Sequence, residues 1–222
     1  MHLFSGLLCL AFLVPALQVQ GAEVVNAAVG QVGDRVVTSR EVVMSHFFER
    51  WQLSAQSKDA SARSPKADWK ITPGTDAFKQ ATQSFVLERM VALEAENFVV
   101  ARVDADAVKT SAKNFLTAMQ GSADWKKLEV SEAEVQKMAE IKLRAQSFLK
   151  FKTESAGVVV TDEDTKNYYE KNRLKFGNMP YEQFKTSIRE VLSTQILEER
   201  LKDWFEVLRR KYRVRFLGTT ES

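Results

Sequence analysis

Residues 181–217 read YEQFKTSIREVLSTQILEERLKDWFEVLRRKYRVRFL, and their pattern decides the architecture of the chain. Tyr181, Phe184, Ile188, Val191, Leu192, Ile196, Leu201, Trp204, Phe205, Leu208 and Tyr212 recur at steps of about three and four, the spacing of one broad apolar stripe on an α-helix. The spacing predicts a helix over residues 180–211, which at 1.5 Å per residue is roughly 48 Å long. That exceeds the width of a compact domain of this size, so part of the helix is expected to reach out or to be cradled by other helices. At Arg213 the period changes from 3.6 to 2. Arg213-Val214-Arg215-Phe216-Leu217 alternates as a strand does.

A terminal strand needs a partner, and the opposite end of the chain offers one. Residues 24–32 and 35–37 are two β-branched runs about Gly33-Asp34, which reads as a short hairpin. The last strand is expected to join this hairpin in a small antiparallel sheet and so close the fold. Between the two ends the signals are helical. Val37-Thr38-Ser39-Arg40-Glu41-Val42 holds a capping box, Thr38 with Glu41, inside a hydrophobic staple, Val37 with Val42. It opens a helix to about Ala55. The same chemistry recurs at Val130-Ser131 and Val160-Thr161, where it opens helices to about Glu154 and Phe176. Asp104 caps another to Gln120, with Gly121 as its stop, and helical spacing also covers residues 75–102. Residues 56–74, with Ser57, Ser61, Ser64, Pro65, Pro73 and Gly74, read as a mobile loop. The fold class is therefore mainly α, a helical domain with a small sheet. The irregular spacing of the three helix starts argues against a tandem repeat.

The chain has 222 residues, 45% hydrophobic and 27% charged, with one Cys and two His. This is globular composition, large enough to hold a core without disulfides or metals. Residues 3–17 are almost unbroken apolar sequence, too short to span a bilayer comfortably, and lead to the small residues Gly21 and Ala22. Residues 1–21 read as a signal peptide and residues 22–222 as an exported, periplasmic domain. Cleavage would remove both Cys9 and His2. No later stretch reaches 18 apolar residues, so stable membrane insertion of the mature chain is not expected. The net charge of +3 is spread along the chain. The basic run at Arg209, Arg210, Lys211, Arg213 and Arg215 lies at a helix end, where cations complement the dipole, so nucleic acid is not an expected partner.

The chemistries that need several Cys or His are excluded on residue count, and the sequence does not say whether two carboxylates pair in space. Export leaves His46 alone for Ser-His catalysis and leaves no thiol. The acids at Asp104 and Asp106, and at Asp162, Glu163 and Asp164, sit in first helical turns and read as caps rather than metal ligands. No glycine-rich phosphate loop is present. No cofactor is expected. What remains is apolar surface: Phe47, Trp51, Phe85, Met119, Trp125, Phe148 and Phe151 are the candidate residues for binding extended, unfolded peptide in an apolar helical cradle, which soft methionines help to adapt. Core packing is the competing reading for each of them singly.

Residues 25–42 resemble the N-terminal strands and first helix of SurA-like periplasmic chaperones. So do Val160-Thr161-Asp162-Glu163-Asp164, Tyr168-Tyr169-Glu170-Lys171-Asn172, Phe176-Gly177, and the closing helix and strand from Pro180 to Leu217. The resemblance covers residues 24–55 and 130–217. It implies a helical chaperone domain completed by a C-terminal helix and strand, acting as a holdase. In that family, parvulin-type prolyl isomerase domains are commonly inserted before the last helix. Here only a few residues, 176–180, occupy that place, and a parvulin site's histidines are missing, so isomerase activity is not implied.

Two functions are thus expected to compete. The first is an ATP-independent periplasmic holdase for unfolded exported or outer-membrane proteins. The second is a structural or assembly subunit in an obligate complex, or a homodimer that exchanges the C-terminal helix or strand.

Overall fold

The computed structural model describes residues 26–55, 69–98 and 102–217. The expected signal peptide at 1–21 and the greater part of the expected loop, 56–68, lie outside the described residues.

The chain is mainly helical with a three-stranded antiparallel sheet. Strands β1 (Ala28–Val32) and β2 (Arg35–Thr38) pair about Gly33-Asp34, where Gly33 has a φ of 58°. A side chain would resist that conformation. Strand β3 (Arg215–Phe216) comes from the far end of the chain and pairs with β1, giving the order β2-β1-β3. The Gly33 amide also donates to the Tyr212 carbonyl at 2.7 Å, which ties the hairpin turn to the end of the last helix.

Five helix starts use the capping chemistry their sequence announces. Before α1 (Ser39–Ala55), the Thr38 amide donates to Glu41 Oε2 and the Glu41 amide to Thr38 Oγ1. Thr75 caps α2 (Asp76–Ala95) and Asp104 caps α3 (Ala105–Met119). Complete capping boxes, Ser131 with Glu134 and Thr161 with Asp164, open α5 (Glu132–Glu154) and α6 (Asp162–Lys171). The sequence reading did not anticipate α4 (Ala123–Lys126), a single turn capped by Ser122.

Three boundaries differ from expectation. Helix α2 stops at Ala95, before residue 102; there Glu96 pairs with Arg35 of β2 and Arg144 of α5, and Phe98 lies off the helix. The helix expected to reach Phe176 breaks at Asn172 (φ −111°, ψ 22°) into α6 and α7 (Arg173–Phe176). The last helix, α8 (Lys185–Lys211), has 27 residues and follows a 3-10 turn at Tyr181–Gln183. Phe184 (φ −108°, ψ −10°) stands between that turn and α8 and packs its ring 4.9 Å from Phe176. The end of the expected mobile loop is also corrected. Trp69 and Ile71 are buried in the core, with Trp69 edge-on to Phe47 at 6.3 Å.

The main core lies among α1, α2, α3 and α5, with the sheet packed on α2 and Leu208 of α8 contributing. A smaller apolar layer joins α2, α5 and the C-terminal half of α8. At the other end of α8, the α6–α7 pair packs through Tyr169, Phe176, Tyr181, Phe184 and Ile188.

Candidate functional site

The seven expected peptide-binding residues divide into two groups. Phe47, Phe85, Met119, Trp125 and Phe148 are buried. This corrects the expectation that they line an open cradle. Phe47, Trp51 and Trp125 interlock with Phe48 and Phe115, with ring centroids 4.7–5.8 Å apart, and Met119 joins the same cluster. Aromatic packing of this density fixes α1 on α3 and leaves only Trp51 with an open side. Phe85 belongs to the same core, with the Arg89 guanidinium 5.8 Å from its ring.

Trp51 is half-buried. Its outer side lines a cavity of about 540 Å³ shared with Glu49, Gln52, Glu88, Ser111 and Gln146. Leu53 and Ala55 complete its wall, so the lining is mixed polar and apolar. Beside it, Lys142 is fully buried and its ammonium donates to Glu88 Oε2 at 2.7 Å, with Ser45 as a weaker donor at 3.5 Å. Burial pushes the Glu88 carboxyl above its usual range; the facing Lys142 pulls it back and the nearby Glu49 adds to the rise. His46 and Arg50 on the same helix are half-buried and engaged in contacts of their own.

Phe151 is the one expected residue that keeps a large apolar surface in solvent, at 37% exposure. It stacks on buried Phe148, with centroids 6.1 Å apart and planes inclined by 21°. Around Phe148 stand Phe98, at 4.9 Å and 43% exposed, and Trp204 of α8, at 5.9 Å. The Lys152 ammonium lies 5.3 Å from the Trp204 ring. Ala92, Ala95 and Ala145 form the floor of this layer, and their small size lets α8 approach α2 and α5. Glu94, Lys211 and Tyr212 clamp the C-terminal end. Burial opposes ionisation of Glu94, but hydrogen bonds from Lys211 and Tyr212 outweigh it and hold the carboxyl below its usual range.

The aromatic patch runs on into α8 itself. Along this helix only Ile188 and Leu208, near its two ends, are buried. Leu192, Ile196, Leu197, Leu201, Trp204 and Phe205 each keep part of their surface open, and Val191 is exposed. The C-terminal half of α8 rests on α2 and, through Trp204 against Phe148, on α5, and its N-terminal end rests on α6, while no residue between Ile188 and Leu208 is buried. Arg200 bridges the gap by donating to the Ala156 carbonyl in the α5–α6 connection. Phe98, Phe151, Leu201 and Trp204 are therefore the candidate contact residues. Sequence reasoning placed Leu201 and Trp204 on the stripe without assigning them to a site. The doubled positions Ile196-Leu197 and Trp204-Phe205 were the available signal: they widen the stripe beyond what one neighbouring helix covers.

The acids considered as ligands have other duties. Asp104 and Asp164 accept from backbone amides at helix starts, and Asp162 pairs with Lys185 and Arg189. Among the described residues no group of three or more His, Cys, Asp or Glu is arranged to hold a metal ion. An aromatic and aliphatic surface of this kind offers area and few directional bonds, which suits apolar side chains of varied sequence.

No family model matches the chain, and no curated protein or solved structure is similar to it.

Proposed function

We propose that this chain is an ATP-independent periplasmic holdase of the SurA-like kind, without a parvulin domain, that binds unfolded segments of exported or outer-membrane proteins along α8. The observation that carries this reading is the absence of any buried residue along α8 between Ile188 and Leu208. A stripe from Val191 to Phe205 remains partly open, and it is continuous with the exposed rings of Phe98 and Phe151. Contiguous apolar surface on a folded chain marks an interaction site. The periplasmic location rests on the apolar segment at residues 3–17 and the small residues that follow it. Binding is weak and distributed, since ordering an extended guest costs entropy and such a surface supplies few directional contacts to offset it.

The test is an aggregation assay with a denatured outer-membrane protein diluted into buffer containing the chain from residue 22 onward. Suppression at a few-fold molar excess is the expected result. No suppression at that excess overturns the reading. The rival, an assembly subunit whose stripe is permanently filled, is separated by light scattering coupled to size exclusion: a monomer that suppresses aggregation supports the holdase, and an obligate dimer with no such activity supports the rival.

A further inference from the structure

The turn between α6 and the 3-10 turn carries an apolar side chain that the fold does not use. Leu174 is 100% exposed and Met179 is 49% exposed, although the segment around them is well packed. Phe176 stacks on Tyr169 with centroids 5.0 Å apart, the Arg173 guanidinium lies 4.7 Å from the Tyr169 ring, and the Tyr169 hydroxyl donates to the Met179 carbonyl. The backbone is thus held from within, while Leu174 and Met179 stand outside.

The charge within this tip has one sign. From Lys171 to Pro180 the chain contains Lys171, Arg173 and Lys175 and no acid; Glu170 and Glu182 flank the stretch. All three cations are exposed. The strong acids of the arm, Asp162, Glu163 and Asp164, occupy the other end of α6, roughly 15 Å away along ten residues of helix. That separation exceeds the screening length of about 8 Å at physiological salt. Asp162 is moreover paired with Lys185 and Arg189.

We propose that this tip docks on the surface of an anionic lipid bilayer, with Leu174 and Met179 entering the interface and Lys171, Arg173 and Lys175 meeting the headgroups. A protruding turn with two open apolar side chains is too small for a stable protein interface, which buries about 1,600 Å² in total. A bilayer requires no shape-matched groove. It takes apolar side chains into its interface, and each Lys or Arg near an anionic surface strengthens binding about fivefold. Among the described residues no helix is long and apolar enough to cross a membrane, so the attachment is peripheral and reversible.

Cys9 is the single cysteine, so the chain from residue 22 on has none; it also omits residues 3–17, whose apolar run would bind lipid by itself. A Leu174→Cys variant labelled with a polarity-sensitive fluorophore is mixed with vesicles of phosphatidylethanolamine and phosphatidylglycerol, or of phosphatidylcholine alone. A labelled Leu217→Cys variant, at an exposed apolar site outside the arm, is the reference. The expected result is a blue shift of the Leu174→Cys probe on anionic vesicles only, with no shift of the reference. Unlabelled chain should co-sediment with anionic vesicles at least about tenfold better than with neutral ones. Reversing Lys171 and Lys175 together to Glu should cost at least about tenfold, and Leu174→Asp about fivefold, with unchanged thermal melting. Absence of binding to anionic vesicles overturns the proposal and leaves the tip to an acidic protein partner. Binding that Leu174→Asp does not weaken, or a reference probe that shifts equally, also overturns it.

Discussion

Glu134 joins two parts of the fold through one carboxylate. It accepts from the Ser131 amide and hydroxyl, completing the cap of α5, and it pairs with Arg40 of α1. The Arg40 and Ser131 hydrogen bonds lower its pKa to about 2 from a usual 4.5. A carboxylate with a depressed folded pKa adds stability that is present above its unfolded value and lost as pH falls through the folded one. Glu134→Gln should therefore destabilise the chain by about 1 kcal/mol at neutral pH, an amount discounted because the side chain is 40% exposed. The difference from wild type should shrink between about pH 4.5 and 2 in denaturant melts. Lys142 is the contrasting case, an ammonium with no exposed side-chain surface. Lys142→Ala leaves Glu88 unpaired beside its cavity and should cost about 2–4 kcal/mol. Urea unfolding of Lys142→Met combined with Glu88→Gln should recover more than half of that loss, because replacing both partners leaves no stranded charge.

At the scale of elements, the closure of the sheet depends on how near β1 lies to its neighbours. A Cβ at Gly30 would stand 3.2 Å from Val86 Cγ2 on α2 and 3.4 Å from the Arg215 carbonyl of β3. Gly30→Val is expected to push β3 outward and lower stability by about 1–3 kcal/mol. Hydrogen exchange should register this first at the Leu217 amide, which donates to the Val29 carbonyl at 3.0 Å. The helix starts were legible in the sequence because a capping box is complete within four residues, as at Ser131 and Thr161. The breaks were less so. Nothing local announces the loss of helical geometry at Asn172 or the interruption between the 3-10 turn and α8 at Phe184. Both flank the packing of Phe176, whose ring meets Tyr169 from α6 and Phe184 from before α8.

For the molecule as a whole, the buried and open apolar residues should separate cleanly by experiment. Phe85→Ala empties a fully buried site and should cost about 3–5 kcal/mol. Any loss of guest binding in that variant follows from unfolding. Phe151→Ser together with Leu201→Ser should leave the melting transition within about 1 kcal/mol of wild type and reduce suppression of aggregation at least about threefold. An unchanged suppression would remove α8 from the proposed function. The same division explains why the candidate site was only half readable. Phe148 and Phe151 lie three residues apart on one helix, yet one is buried beneath Trp204 and Phe98 while the other faces solvent. Helical periodicity assigns a face to a residue, but it does not say whether another element covers that face.

Sequence by itself determined the helices with box-type starts, the hairpin about Gly33 and the broad stripe on the last helix, because each depends on residues within a few positions of one another or on a period; the last strand was legible as a period-2 run expected to join the hairpin, and the fold placed it on β1. Only the tertiary structure decided that Phe47, Phe85, Met119 and Trp125 are interior, that Trp69 leaves a loop to join them, and that the middle of α8 is left partly bare. Burial is a property of neighbours brought together across the chain, and no local pattern encodes it.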